Sequence, residues 1–310
     1  MRTFKIGIVG VGKIVEDQHL PVIAAHPGFE LVAVSSQRGI AVAGARTFRR
    51  PAEMYAAIPD LDAVAVCTPP QVRHAYAREA IAAGKHVLLE KPTTASLSEL
   101  SDLVAFAAAQ KRVLFTTWHS QYNAAVDAAK AALAGRVVKQ MAIVWKEDVR
   151  RWHPGQKWIW AAGGFGVFDP GINALSIVTK IMPDPVFVTH AALSFPSNCD
   201  SPIAASLGFS TPAPFDSLTA EFDWRQTGEQ TWEIGIETDD LSLKLSRGGA
   251  RLDLNGHLAK EAAPREYQDI YEEFHQLLSE GRSHIDAAPL TLVADAFLIG
   301  RRIVTDAFHE

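Results

Sequence analysis

The chain of 310 residues has 48% hydrophobic and 21% charged residues and a formal net charge of −5. That is the balance of a globular protein of two domains, and it argues against a disordered chain and against a basic face for nucleic acid. Two cysteines, Cys67 and Cys199, stand far apart without metal-ligand spacing. Neither a disulfide framework nor a zinc site is expected, and a cytoplasmic location fits. No signal-peptide pattern opens the chain and no apolar window approaches about 18 residues, so no membrane span is expected.

In the first 120 residues, short apolar runs at 6–9, 31–34, 63–66, 86–89 and 113–117 alternate with helical patterns such as 72–83 and 97–109. Near-continuous runs suit strands buried on both faces of a parallel sheet, and the alternation predicts right-handed crossovers. The pattern then changes. A helix is predicted over 123–133, a strand over 140–145, a polar aromatic stretch over 146–166 and a helix over 171–181. Strands follow at 187–195, 218–224, 232–237 and 241–245, some separated by hairpin-like turns. Two helices, 266–278 and 290–308, close the chain. The fold class is therefore α/β: an N-terminal Rossmann doubly wound parallel sheet over 1–120, then a C-terminal α+β domain over 121–310 with a mostly antiparallel sheet.

The first strand runs into Gly10-Val11-Gly12-Lys13-Ile14-Val15. A Gly-x-Gly turn lets backbone amides approach a pyrophosphate at a helix N-terminus. Val15 stands where the full fingerprint has glycine or alanine, so the match is imperfect. The second strand ends in Ser35-Ser36-Gln37-Arg38 without the acid that usually binds an NAD ribose. Arg38 suits a 2′-phosphate through charge-assisted hydrogen bonds. Ser36, Gln37 and Arg38 thus point to NADP, with NAD also accepted.

The runs Asp62-Ala63-Val64-Ala65-Val66-Cys67-Thr68-Pro69-Pro70, His74, Ala83-Gly84-Lys85-His86-Val87 and Glu90-Lys91-Pro92 resemble the Gfo/Idh/MocA oxidoreductase family. The resemblance implies a Rossmann domain joined to an open-faced sheet domain, with Thr68, Pro69, Glu90 and Lys91 at the cofactor. Thr117-Trp118-His119-Ser120, the stretch from Trp145 to Gln156, and Phe168-Asp169-Pro170-Gly171-Ile172-Asn173-Ala174 resemble its branch of bacterial L-arabinose 1-dehydrogenases and D-galactose 1-dehydrogenases. That branch implies oxidation of an aldopyranose at C1 to its lactone.

Such a reaction needs a base for the O1 proton and a clamp on the hydroxyls. Lys91, at a strand's carboxyl end, is the candidate for charge developing at O1. Its alternative is a solvated turn lysine. Asp169 and Asn173 share a helix face at i, i+4. Many relatives carry histidine at the Asn173 position. Asparagine accepts no proton, so Asn173 is expected to orient a hydroxyl and Asp169 to act as base, unless it only caps its helix. Glu147, His153, His119 and Trp152 are the expected sugar-binding residues, with Trp158 a weaker candidate. His74 and Cys67 read as structural.

No metal is expected. The partner is a small sugar, with a homodimer through the C-terminal sheet as a further expectation. A dehydrogenase of another polyol, such as an inositol, and a non-catalytic sensor of NAD(P) and sugar remain as alternatives.

Overall fold

The computed structural model describes residues 2–309. Its helices are α1 (Leu20–Ala25), α2 (Pro51–Ala57), α3 (Pro70–Ala82), α4 (Leu97–Ala109), α5 (Val126–Leu133), α6 (Val149–Trp152), α7 (Phe168–Ile181), α8 (Glu266–Glu280) and α9 (Ala288–Ile299). The first strands are β1 (Phe4–Val9), β2 (Phe29–Ser35), β3 (Arg46–Phe48), β4 (Ala63–Val66), β5 (His86–Leu89) and β6 (Leu114–Thr116). Then come β7 (Val138–Lys146), β8 (Phe187–Pro196), β9 (Ala204–Ser210), β10 (Ser217–Asp223), β11 (Thr231–Thr238), β12 (Ser242–Ser246), β13 (Arg251–Leu254), β14 (His257–Glu261) and β15 (Arg301–Thr305).

The chain forms two compact units. One comprises the chain up to His119 together with Tyr267–Ala287, and the other comprises Ser120–Glu266 with the chain from Ala288 on. The first unit is a parallel sheet of order β3-β2-β1-β4-β5-β6. All four residues of β4 are fully buried, as expected for a strand with helices on both faces. Leu100, Leu103 and Ala107 recur at helical spacing on α4 and are buried.

Helix α8 belongs to this unit, although its sequence position had suggested the second domain. Its buried stripe of Tyr267, Ile270, Tyr271, Phe274 and Leu277 explains why. Phe274 stacks on Phe29 and Phe115 at ring distances of 5.9 and 6.1 Å.

The second unit is built on a sheet of order β14-β13-β12-β11-β7-β10-β9-β8-β15. Its pairings are antiparallel except β7 with β10 and β8 with β15. On β10, Leu218, Ala220 and Phe222 are buried while Ser217, Thr219 and Glu221 are exposed, the period-two pattern of a sheet covered on one face. Helix α7 lies close to β10. A Cβ at Gly171 would sit 2.9 Å from the Phe222 ring, so a larger residue there would push the helix away.

The tail corrects one expectation. The helix predicted to Phe308 ends at Ile299, and the run after Gly300 forms β15, parallel to β8. β-Branched Ile303, Val304 and Thr305 favour that strand. Strands β9, β13 and β14 also escaped the sequence reading. Among the described residues no helix is long and apolar enough to cross a membrane, and no group of three or more His, Cys, Asp or Glu is arranged to hold a metal.

Candidate active site

In the first unit, β1 ends at a turn where Gly10 takes φ +90°. A Cβ there would lie 2.8 Å from Thr68 Cγ2 and 3.0 Å from its backbone nitrogen, so only glycine fits. A Cβ on Gly12 would meet nothing within 4 Å, leaving open space at the turn where the helical segment begins. Val15 N–H donates back to Gly12 O at 2.9 Å. Lys13 pairs with Asp17, and Ile14 is partly exposed beside them. At the end of β2, Ser36 is buried and Gln37 donates to the Tyr76 hydroxyl at 2.8 Å. Arg38 folds back to donate to Val11 O at 3.3 Å. The Thr68 hydroxyl, at the end of β4 before Pro69, is buried without a hydrogen-bond partner among the described residues. The open ground at Gly12, the orphaned hydroxyl and the arginine returning to the turn all fit a dinucleotide.

Glu90 and Lys91 follow β5. The Glu90 carboxylate is enclosed by protein groups instead of being open to a cofactor. Its Oε1 accepts from the Tyr267 hydroxyl at 2.5 Å and lies 3.2 Å from His19 Nε2, while Oε2 accepts from Lys91 N at 2.6 Å. His19 Nδ1 lies 2.7 Å from the Tyr271 hydroxyl. Burial opposes charge on His19, but the fields of Cys67 and Tyr271 and hydrogen bonds to Cys67 and Glu90 outweigh it. They hold the imidazole well above its ordinary range. Burial likewise opposes charge on Glu90, and His19, His119 and Tyr267 together bring its carboxyl down to about 2. The result is a buried ion pair. His119 stacks on Tyr267 at 5.9 Å, which places it in this unit. Buried Arg73 donates to the carbonyls of Thr68, Glu90 and Pro92, tying together the loops that follow β4 and β5. His74 pairs with Asp102 at 2.7 Å, apart from this cluster.

In the second unit, Asp169 lies in the first turn of α7, whose positive end favours a carboxylate. It does not cap the helix. Instead its Oδ2 lies 3.2 Å from His153 Nε2. Gln156 Oε1 accepts from Trp158 Nε1 at 3.1 Å and faces His153 Nδ1 at 3.4 Å. An indole nitrogen only donates, so the Gln156 atom is oxygen and His153 Nδ1 carries hydrogen. The imidazole thus stands between the Gln156 amide oxygen and the Asp169 carboxylate.

The His153 ring packs 5.2 Å from that of Trp224. Trp224 Nε1 donates to Glu147 Oε1 at 3.1 Å and Trp232 Nε1 to Oε2 at 2.9 Å. Trp152 lies 5.7 Å from the Trp232 ring, and its own indole nitrogen is buried without a partner among the described residues. Asn173, one turn beyond Asp169, is partly exposed. The structure thus gathers Asp169, His153, Glu147 and Trp152 into one aromatic cluster. Sequence reasoning missed Trp224 and Trp232, read there as strand residues, and it missed Arg73, His19, Tyr267 and Tyr271. The i, i+4 spacing of the two tyrosines at the start of a predicted amphipathic helix was the one available signal.

Residues 4–118 match the family model described as an oxidoreductase family with an NAD-binding Rossmann fold, Gfo/Idh/MocA. Galactose 1-dehydrogenase of Pseudomonas fluorescens is 45% identical over 313 aligned residues, covering 100% of each chain. The crystal structure of a D-galactose-1-dehydrogenase from Rhizobium etli matches with a TM-score of 0.94 and 51% identity, over 100% of this chain and 99% of that one. A 3-ketoreductase from Actinomadura kijaniata, solved with NADP and TDP-benzene, shares the fold at a TM-score of 0.82 and 18% identity, over 98% and 100% of the two chains. The chain belongs to the Gfo/Idh/MocA oxidoreductase family. It is an enzyme of that family, with an NAD-binding Rossmann domain followed by a mostly antiparallel sheet domain.

Proposed function

We propose that this enzyme oxidises the C1 hemiacetal of D-galactose and L-arabinose pyranoses to the lactone, with NADP as preferred acceptor and NAD also used. The observation that carries the reading is the Asp169–His153 pair, set against a carboxylate that two indoles hold. The relatives named for galactose oxidation support it over the full length of the chain.

Gly10, Gly12, Lys13, Ile14, Ser36, Gln37, Arg38, Thr68 and Pro69 would hold the dinucleotide, which supplies the hydride acceptor when bound. The protein's own residues do the rest. Asp169 takes the O1 proton, with His153 sharing the charge of the pair. Lys91 donates to O1 and stabilises negative charge as it develops there. Glu147, held by its two indoles, accepts from a sugar hydroxyl, while Asn173 and His119 orient others. Trp152 offers an apolar face to the sugar's C–H groups. The two sugars differ only in the group at C5, so one site serves both.

The test is absorbance at 340 nm with NADP or NAD and a panel of aldoses and inositols. Reduction with D-galactose or L-arabinose supports the reading. Reduction with inositols alone, or tight binding of both ligands without reduction, rejects it. A homodimer through the polar face of the second sheet, where Ser206, Thr219 and Glu221 lie, completes the proposal. Sedimentation velocity decides that part.

A further inference from the structure

The segment around Lys91 is held more firmly than a solvated turn requires. Its own N–H is bound by the Glu90 carboxylate, and the carbonyls on either side, of Glu90 and Pro92, are bound by Arg73. Arg73 and Glu90 are each 3% exposed, and His19 is fully buried. Burying ionised groups in this way is a poor route to stability, because desolvation offsets much of the attraction. It is a good route to a fixed geometry.

We propose that His19, Tyr267 and Tyr271 are positioning residues that set the direction of Lys91 through the Glu90 carboxylate. The chain of contacts runs from the Tyr271 hydroxyl to His19 Nδ1, from His19 Nε2 to Glu90 Oε1, and from Glu90 Oε2 to Lys91 N. Tyr267 fixes the same carboxylate oxygen that His19 approaches. The groups facing His19 come from three directions: Cys67 at 3.6 Å after β4, Glu90 after β5, and the two tyrosines of α8. His119 faces Glu90 and stacks on Tyr267. Helix α8, remote in sequence from Lys91, therefore completes the site in which Lys91 sits. The inference rests on the reading of Lys91 as the residue at the sugar's O1.

Tyr267→Phe removes one hydroxyl and keeps the ring, and His19→Asn removes the imidazole. Each is expected to lower kcat by about ten- to a hundredfold per folded molecule, with sugar KM within about twofold. The double variant is expected to lose no more than the worse single one, because both act through one carboxylate. Unchanged kcat, or a loss wholly accounted for by unfolded protein, overturns the proposal. A second readout needs no sugar: acylation of Lys91 by a lysine-directed reagent, followed by peptide mass mapping. Its rate is expected to change in Tyr267→Phe while Lys13 and Lys180 react as before, and an unchanged rate at Lys91 overturns the proposal. If the wild-type enzyme reduces no dinucleotide with any aldose, the substrate reading fails, and Lys91 labelling still decides the positioning role.

Discussion

Nε2 of His153 lies 3.2 Å from Oδ2 of Asp169, so the helix carboxylate has an imidazole partner although the next turn of its own helix offers only Asn173. This chain supplies that imidazole from the loop after α6. Asp169→Asn should then lower kcat by about 10²–10⁴ with little change in KM, as loss of a general base does. His153→Asn should be milder and act on kcat first. Single-turnover absorbance at 340 nm measures both. If Asp169→Asn keeps its turnover, Asp169 is not the base.

Arg38 donates to Val11 O in the glycine turn and stands where an NAD-selective site would carry an acid. Removing it in Arg38→Ala should cost the charge-assisted bonds to a 2′-phosphate. The expected loss in kcat/KM with NADP is about ten- to a hundredfold, with NAD little affected. Equal losses with both cofactors would show that Arg38 braces the turn and does not read the phosphate.

The buried His19–Glu90 pair gives stability a defined dependence on pH. The folded pKa of Glu90 is depressed from 4.5 to about 2, so its contribution is complete above pH 4.5 and disappears as pH falls towards 2. His19 is raised well above 6.5, so its contribution is complete below that pH and is lost as pH rises through the raised value. Thermal unfolding across pH should therefore show an alkaline decline in Tm that His19→Asn flattens. An alkaline limb of the same slope in that variant would assign the decline to other groups.

Glu147 accepts one indole N–H on each oxygen. An amide at this position accepts from one tryptophan only and turns its own N–H groups towards the other. Glu147→Gln should destabilise the protein by about 1–3 kcal/mol and raise the sugar KM. A lower Tm with an unchanged KM would leave Glu147 a purely internal anchor.

Much of the architecture is written in local pattern. The continuous apolar runs at 63–66 and 86–89 announce buried parallel strands, and the Gly10-Val11-Gly12 turn announces the dinucleotide end of the first sheet. The tail misled because its apolar spacing continues past Gly300, and only pairing with β8 shows that 301–305 is a strand. Helix α8 was predicted as a helix, but its return to the first unit depends on Phe29 and Phe115, which are distant in sequence. The site divides in the same way. Asp169, His153, Glu147 and Lys91 stand out as chemistry-bearing residues in telling motifs. Which of them touch is decided by tertiary packing. His19 carries no local sign at all, being one histidine in an unremarkable helical stretch.

In the proposed reaction, hydride leaves C1 of an aldose. The most direct measurement uses D-galactose deuterated at C1 with NADP, followed by the mass of the reduced dinucleotide and the rate relative to unlabelled sugar. The account predicts that the reduced cofactor carries the deuterium and that the labelled sugar turns over more slowly. Reduced cofactor without deuterium would place the oxidation at another carbon, and no reduction at all would remove D-galactose as a substrate.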